Sequence, residues 1–240
     1  MRVATYNIHH GVGLDGRLDL GRIARVLERE RPDLVGLQEV DRHFSARSGG
    51  VDQAQWLADR LGMAVVFGPN IDLEPPAPGR PRRGYGGAVL SRYPVEAPEH
   101  RLLVRVPGTE QRGVVSVRVH EAGRSLAFYT THFEHRSRGV RRRQATEVLE
   151  QVADGPASAV VVGDLNATPH SPELRGLFGP LRDAWAAGRG DGDTHRSDRP
   201  RRRIDYVLHT PDLVAERVHV AGGDGSDHLA VVADLSFGES

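Results

Sequence analysis

The sequence predicts an α/β (α+β) fold in a single domain that spans residues 1–240. Strand and helix patterns alternate near the N-terminus, and a run of strands separated by Gly- and Pro-containing turns follows between about residues 63 and 132. Hydrophobic residues make up 38% and charged residues 27% of the chain, which provides enough apolar surface for one continuous core in a layered domain of this length.

The N-terminal part is predicted to alternate strands and helices. Residues 2–8 are mostly apolar and form the first strand, and a Gly-rich loop follows them. Asp19 is placed to cap a helix whose apolar residues recur at helical spacing until Pro32. Residues 33–39 resume as a buried strand, and residues 51–62 form a second helix that ends in glycine.

The remaining elements are predicted to be mostly strands, antiparallel to one another in the middle of the chain. Their patterns cover residues 63–68, 85–91, 101–106, 113–119, 125–132, 158–164, 203–210 and 229–235. A helix with arginines on its exposed side is expected over residues 137–153. The stretches 68–84 and 186–203 are rich in Pro, Gly, Asp and Arg, so we expect them to be surface loops.

The composition excludes several kinds of chemistry. The chain has no cysteine, which rules out disulfides, thiolate metal sites and thiol nucleophiles. It also has no lysine, which rules out Schiff-base chemistry and a lysine general base. The formal net charge is zero and only 5% of residues are aromatic, which is little for tracking a nucleic-acid backbone or stacking on bases. Oxygen ligands, histidine and water remain.

Acidic, amide and histidine side chains recur at the ends of the predicted strands. These residues are Asn7, Glu39, His132, Asp164, Asn166, Asp205, Asp227 and His228. A carboxylate at the rim of a buried sheet is costly to desolvate unless it is paired, hydrogen-bonded or metal-bound, so several at one rim indicate a cation. Oxygen ligation by Asn7, Glu39 and Asp227 suits Mg²⁺, with Mn²⁺ as a substitute.

The polar residues lie in a series of motifs with a defined order: TYNIHH, LVGLQEVD, YGGAVLSRYP, TTHFEHRS, VVGDLNATP, RRRIDYVL and SDHLAVVADL. The series resembles the endonuclease/exonuclease/phosphatase superfamily of DNase I-like, metal-dependent phosphoesterases over essentially the whole chain. GDLNATP and SDH are its most specific pieces, and Ala230 stands where many relatives carry proline. The resemblance implies a four-layer α/β/β/α sandwich of two mainly antiparallel sheets flanked by helices.

The resemblance also implies a role for each polar residue. Asn7 and Glu39 would hold the metal, and Asp227 would contact the metal or its water. Asp164 would orient or deprotonate the attacking water, and Asn166 would hydrogen-bond a phosphate oxygen in the transition state. Whether Asp164 or a histidine is the general base stays open, as does the number of metal ions.

Histidine and arginine complete the expected site. His228 would stabilise the phosphate charge, Asp205 would orient a histidine, and His132 would bind phosphate or protonate the leaving oxygen. Arg203 and Arg47 lie on loops beside motif strands, where a guanidinium could meet a phosphate-bearing substrate.

Each of these residues also fits a purely structural role when it is taken alone. Asn7 could satisfy a turn, Asp164 could cap a helix near Ser171, and the histidines could be rim residues with satisfied hydrogen bonds. The joint pattern favours the catalytic interpretation. The histidines without such support are expected to be solvent-facing or at the edge of the substrate: His9, His10, His43, His135, His170 and His195. Residues 141–143 are expected to be a solvated arginine face.

The predicted function is Mg²⁺-dependent hydrolysis of a phosphate ester, foremost a phosphodiester, by in-line attack of water with inversion at phosphorus. Nucleic acid is the leading substrate class, and a phospholipid, a phosphoinositide or a small nucleotide is the alternative. An alternative of a different class is a catalytically silent binding module. No stretch approaches the roughly 20 apolar residues of a membrane span, so we expect a cytoplasmic protein without a transmembrane segment, and no feature indicates a protein partner.

Overall fold

Two mixed six-stranded sheets, packed face to face, form the centre of the computed structural model, which describes residues 1–238. In that part of the chain the strands are β1 (Arg2–Asn7), β2 (Leu34–Arg42), β3 (Ala64–Leu73), β4 (Arg83–Ser91), β5 (Glu96–Leu102), β6 (Gly113–Glu121), β7 (Arg124–His132), β8 (Ala159–Asp164), β9 (Arg182–Asp183), β10 (Asp205–His209), β11 (Leu213–Ala221) and β12 (Ala230–Phe237). The α-helices are α1 (Leu20–Glu30), α2 (Gln53–Leu61) and α3 (Arg138–Ala153).

The sheet order explains why strand ends meet at one edge. The first sheet runs β11-β12-β1-β2-β4-β3 and the second runs β5-β6-β7-β8-β10-β9. The pairs β1–β2 and β7–β8 are parallel, joined by helices α1 and α3 respectively, and the other pairs are antiparallel. Because the strands of a parallel pair end on the same side, His132 and Asp164, which close β7 and β8, lie at one rim. Asn7 closes β1 of the other sheet and reaches the same rim through a hydrogen bond to Asp164.

Three buried apolar clusters separate four layers. One lies between the first sheet and helices α1 and α2, and includes Ile23 and Leu57. The second lies between the sheets, and the third lies between the second sheet and α3. Gly36 lets the sheets approach closely, because a Cβ there would collide with the side chain of Val162. The four-layer sandwich that the resemblance implies, with two mainly antiparallel sheets, is confirmed.

The ends of the helices agree with the predicted signals. The side chain of Asp19 accepts a hydrogen bond from the Gly21 backbone N–H at 2.8 Å and so caps α1. Gly62 closes α2 in the left-handed conformation, with φ of 63°. None of the helices within residues 1–238 combines the length and the apolar character needed to cross a membrane.

Four local predictions were wrong. The loop expected at 68–84 is shorter, because β3 extends to Leu73 and β4 begins at Arg83. The strand expected at 101–106 is instead Glu96–Leu102, an edge strand whose mostly exposed residues give no apolar signal. Strand β11 was missed, because a bulge between Ala215 and Arg217 interrupts its alternation. Arg141 is buried rather than solvated: its Nη2 donates to Oε1 of Glu173 at 2.7 Å.

Candidate active site

The carboxylate of Asp164 is the point at which the ends of several strands meet. The Nδ2 of Asn7, which closes β1, donates to Oδ2 of Asp164 at 3.1 Å and to Oε1 of Glu39 at 3.0 Å. The Nε2 of His132 lies 3.5 Å from Oδ2 of Asp164, and the Nε2 of His228 lies 3.7 Å from the same oxygen. One buried oxygen therefore faces an amide and two imidazoles.

Backbone irregularities aim two of these side chains. Glu39 adopts a left-handed φ of 57° at a bulge in β2, where the pairing with β4 shifts between Leu37 and Val40. Such a bulge redirects a side chain out of the regular alternation of a strand. Asn166 has a φ of 51°, and its backbone N–H donates to Oδ1 of Asp164 at 2.9 Å. The turn after β8 thus fixes the Asp164 carboxylate.

The buried ring of His132 lies between the guanidinium of Arg112 and the amide of Asn166. The Nη1 of Arg112 lies 2.9 Å from its Nδ1, and the Nδ2 of Asn166 lies 2.9 Å from its Nε2. Asn166 Nδ2 donates to the Phe133 carbonyl at 3.0 Å. Because Nδ1 of His132 accepts from Arg112, a neutral ring carries its proton on Nε2, and Asn166 Nδ2 does not donate to that nitrogen. Burial, followed by the charge of Arg112, lowers the pKa of His132 well below its ordinary value. His132 is therefore neutral.

His228 is oriented by a buried carboxylate. Its Nδ1 donates to Oδ2 of Asp205 at 2.9 Å, and the hydroxyl of Thr194 donates to the same oxygen. Burial alone would lower the pKa of His228, but the carboxylates of Asp205 and Asp164 outweigh it and raise that pKa to about 10. The Asp205–His228 pairing is the arrangement in which a carboxylate orients an imidazole. His228 is a protonated, positively charged group at the rim.

Burial also acts on Asp164. It raises the pKa of this carboxyl to about 7, and the negative charge of Asp205 adds to the rise, while His228 opposes it. Asp164 thus loses its proton much less readily than an exposed aspartate.

The loop that carries Asp227 is tied to β1 and lies beside two further histidines. The hydroxyl of Ser226 donates to the Asn7 carbonyl at 2.7 Å, which fixes the loop. The carboxylate of Asp227 lies 3.9 Å from Nδ1 of His9 and 3.8 Å from Nε2 of His195. The ring centroids of His195 and His228 are 4.8 Å apart.

A cavity of about 390 Å³ opens over these groups. Of the predicted residues, its wall contains Glu39, Arg47, His132, Asp164, Asn166, Asp227 and His228, while Asn7 and Asp205 are buried behind it. The wall also contains residues that were not predicted to act in catalysis or to bind metal or phosphate: His10, Phe44, Ile71, Tyr85, Glu110, Arg112, His135 and His195. The three histidines among them were expected to face solvent or the edge of the substrate. His10 could have been suspected from its position three residues after Asn7, whereas the others carry no local signal.

The two predicted phosphate-binding arginines are already paired. Arg203 does not line the cavity, because its Nη1 lies 2.7 Å from Oδ2 of Asp183 and its guanidinium lies over the ring of Tyr206. Arg47 does line the cavity, but its Nη2 donates to Oδ1 of the fully buried Asp41 at 2.7 Å. Arg203 is therefore not part of the candidate site. Arg47 is held at the cavity wall by its hydrogen bond to Asp41.

The donor set at this rim fits a hard divalent cation. Glu39, Asp227 and Asn7 offer carboxylate and amide oxygens, which Mg²⁺ and Mn²⁺ prefer. Asn7 directs its Nδ2 to two carboxylates, while its Oδ1 accepts from the His9 backbone N–H at 3.1 Å. Asn7 thus positions Glu39 and Asp164, and ligation through Oδ1 requires this amide to turn.

The chain is similar in sequence and structure to several known proteins. The profile of the Endonuclease/Exonuclease/phosphatase family matches residues 4–228. Uncharacterized protein YbhP of Escherichia coli (strain K12) is 29% identical over 241 residues, covering 96% of this chain and 88% of that protein. The structure of an endonuclease/exonuclease/phosphatase from Beutenbergia cavernae has a TM-score of 0.82 at 29% identity, covering 99% of this chain and 72% of that one.

A more distant neighbour shares the fold. The mannosyl-6-phosphatase of Bacteroides thetaiotaomicron has a TM-score of 0.79 at 18% identity, covering 99% of this chain and 100% of that one. The chain therefore belongs to the endonuclease/exonuclease/phosphatase family, whose members are generally divalent-metal-dependent hydrolases.

Proposed function

We propose that this protein is a Mg²⁺-dependent phosphoesterase that cleaves a phosphate ester by in-line attack of water. The observation that carries the proposal is the convergence of Asn7, His132 and His228 on one oxygen of the buried Asp164 carboxylate. The cytoplasmic location predicted from the sequence is part of the same proposal.

The metal would be held by Glu39 and Asp227, with Asn7 as a further oxygen donor. When bound, the cation supplies charge stabilisation for the phosphoryl oxygens, and Mn²⁺ can replace Mg²⁺ in that role. Before its amide turns to offer Oδ1 to the cation, Asn7 keeps the Glu39 and Asp164 carboxylates 3.0 and 3.1 Å from its own amide nitrogen. This side chain therefore sets the spacing between the metal-binding and water-orienting carboxylates.

The hydrogen bonds favour Asp164 as the general base. His228 donates from Nδ1 to Asp205 and faces Asp164 with Nε2, so an imidazolium there has no free lone pair. His132 has its Nδ1 lone pair occupied by Arg112. Asp164 is left as the group that accepts a proton from water, while Asn166 and both histidines donate to the phosphate oxygens.

Nucleic acid, the leading substrate class from the sequence, is one of two candidates. The cavity of about 390 Å³ is the size of small-molecule sites, which favours a small phosphate ester or a strand end over the continuous backbone of a duplex. A fold neighbour carries the name mannosyl-6-phosphatase, so this sandwich serves a sugar phosphate in that protein. We therefore propose a small phosphate ester as the second candidate, with lipid and inositol phosphates in the same group.

The test is a substrate panel measured with Mg²⁺, with Mn²⁺ and with EDTA. The panel contains plasmid DNA, a single-stranded oligonucleotide, sphingomyelin, an inositol phosphate, mannose 6-phosphate and bis-p-nitrophenyl phosphate. We expect turnover that EDTA abolishes and Mg²⁺ restores, with inversion at a chiral phosphorothioate. Turnover that EDTA leaves intact, or retention of configuration, contradicts the mechanism. If no panel member turns over but one binds, the silent binding module is supported instead.

A further inference from the structure

Two histidines in the loop after β1 lie beside Glu39, and the proposed hydrolysis uses neither of them. One ring nitrogen of His9, one of His10 and a carboxylate oxygen of Glu39 all lie within 4.8 Å of one another. The two imidazole centroids are 4.5 Å apart, and all three side chains are half-buried. Two nitrogens and one oxygen therefore converge beside the cavity, whose wall contains His10 and Glu39.

The hydrogen bonds of the loop leave lone pairs free on both rings. The Nδ1 of His9 lies 2.9 Å from the Val12 carbonyl, so it carries the proton and Nε2 keeps the lone pair. A ring proton bound to a backbone carbonyl is how metal-ligating histidines are usually oriented. The Nδ1 of His10 is buried and has no hydrogen-bond partner within residues 1–238. An unpartnered buried nitrogen is costly unless something binds to it.

The loop is held in place without help from any ligand. The Nε2 of Gln53 donates to the His10 carbonyl at 2.7 Å, and the Oε1 of the same side chain accepts from the Asp41 backbone N–H at 3.0 Å. The His9 backbone N–H donates to Oδ1 of Asn7 at 3.1 Å. These bonds tie the loop to α2, β2 and β1, so the two rings stand ready beside Glu39.

We propose that His9, His10 and Glu39 form a binding site for a transition-metal dication of the Zn²⁺, Co²⁺ or Mn²⁺ class. Two imidazoles and one carboxylate are the protein ligands of many catalytic zinc sites, which keep a fourth position for water or substrate. Mg²⁺ prefers oxygen ligands and does not compete well for imidazole. Glu39 is also the proposed Mg²⁺ ligand, so this inference deepens the proposed function. It rests on the proposed function only for the role of that shared carboxylate.

The experiment measures metal binding rather than turnover. Purified chain is stripped with a chelator and titrated with Co²⁺, whose visible absorption reports the ligand set. We expect one Co²⁺ to bind through imidazole, Zn²⁺ to displace it and excess Mg²⁺ to leave it bound. His9→Asn and His10→Asn should each weaken Co²⁺ binding by at least about 10- to 100-fold, the cost of losing even an outer partner of a metal ligand.

Asparagine is chosen because both histidines have a φ of 43°, a conformation that asparagine tolerates. His43→Asn is the matched control, since His43 also has a positive φ, of 53°, and its Nδ1 also faces a carbonyl, that of Gly50, at 2.8 Å. The control should bind Co²⁺ as the wild type does. The proposed site is overturned if the wild type and the three variants bind Co²⁺ with equal affinity. It is also overturned if Mg²⁺ displaces Co²⁺.

Two further measurements keep the outcome decisive. If a variant fails to fold, X-ray absorption of the Zn²⁺-loaded wild type counts imidazole ligands, and fewer than two overturns the proposal. Asp164→Asn should lose hydrolysis while keeping Co²⁺ affinity. A wild-type chain that binds Co²⁺ but hydrolyses nothing would reject the proposed function and leave this metal site standing.

Discussion

The Nη1 of Arg112 lies 2.9 Å from the Nδ1 of His132, and both side chains are buried. A guanidinium can only donate, so Nδ1 of His132 must accept and the single ring proton belongs on Nε2. Glu110 forms an ion pair with Arg112, with its Oε1 2.6 Å from the same Nη1. The partner of His132 in this chain is therefore a cation, which keeps the imidazole neutral. A neutral His132 is better suited to bind a phosphate oxygen than to protonate the leaving oxygen.

Replacing Arg112 should change the titration of His132. In Arg112→Met the charge that lowers the pKa of His132 is gone, so that pKa rises, although burial still holds it below the ordinary value. We expect nitrogen NMR to show a neutral His132 at pH 7 in the wild type and an upward shift of its titration in the variant. Hydrolysis should fall by roughly 10- to 100-fold, as for loss of a group that orients a ligand.

Arg136→Met serves as the control for that experiment. Arg136 is an exposed arginine whose Nε lies 3.0 Å from Nε2 of His135, so its loss removes a nearby positive charge without touching His132. His132 should titrate as in the wild type in this control. An unchanged His132 signal in Arg112→Met would show that the guanidinium does not set its protonation.

Asp164→Asn should abolish activity and stabilise the fold. Loss of a general base lowers the rate by about 10²- to 10⁴-fold. The folded pKa of Asp164 is about 7, above the unfolded value of about 3.9, so ionising this carboxyl destabilises the folded chain. That penalty is absent near pH 4, grows as the pH rises and is complete above pH 7.

Denaturant unfolding in EDTA measures the stability change. The gain in free energy of unfolding for Asp164→Asn should be largest near pH 8 and shrink towards pH 5. Asp191→Asn, at an exposed carboxylate outside the site, should change neither activity nor stability by more than about 0.5 kcal/mol. A destabilised Asp164→Asn at pH 8 would mean that the hydrogen bond from Asn7 outweighs the desolvation of the carboxylate.

The polar residues at strand ends could be anticipated because topology alone brings them together. His132 and Asp164 are opposite one another in the parallel pair β7–β8, and Asn7 closes β1 of the other parallel pair. Residues that enter from loop positions distant from the predicted strand ends could not be anticipated. His195 reaches His228 because the stretch 186–203 folds back on the start of β12, where Thr194 accepts from the Leu229 backbone N–H at 2.9 Å.

The same distinction holds for the fold. Helices with a regular apolar spacing, such as α1, were predicted at nearly their observed bounds. Arg141 escaped prediction because a charged residue on the buried stripe of α3 looks solvated until its partner is known, and Glu173 lies 32 residues away. Long-range pairing of this kind leaves no local trace in a sequence.

The buried Arg141–Glu173 pair should contribute strongly to stability. Both side chains are less than a tenth exposed, at 7% and 2%, and Arg141 also donates to the Glu134 carbonyl at 2.9 Å. Glu173→Gln leaves a buried guanidinium without its counter-charge, which costs about 3–5 kcal/mol in unfolding free energy. Urea unfolding at pH 7 measures this loss.

The loss should depend on pH with a defined sign. Burial raises the pKa of Glu173, but hydrogen bonds from Arg141 outweigh it and bring the pKa below the ordinary value. The stabilisation is therefore present above the unfolded pKa of about 4.3 and is lost as the pH falls through the lower folded pKa, where the two proteins converge. Glu99→Gln, in an exposed pair with Arg101 at 2.9 Å, should cost at most about 1 kcal/mol, and an equal cost for both variants would contradict the prediction.

Gly163 is expected to be required for the alignment of His132 with Asp164. It has a φ of 150° and lies opposite Thr131 in the β7–β8 pair, one position before the His132–Asp164 pair. A Cβ at Gly163 would collide with the Thr131 backbone carbonyl, which cannot swing away as a side chain can. Gly163→Ala must therefore push β7 and β8 apart next to the position where His132 and Asp164 lie opposite each other.

We expect Gly163→Ala to lower kcat by about 10²-fold or more, since a misplacement of about 1 Å can cost that much, and to reduce stability by about 1–3 kcal/mol. Steady-state kinetics and urea unfolding check the two effects. Gly176→Ala is the control, because a Cβ there meets nothing within 4 Å and its φ is not in the left-handed region. Full activity in Gly163→Ala would show that β7 and β8 can separate without moving Asp164 from His132, and the strand-end geometry would then not control the rate.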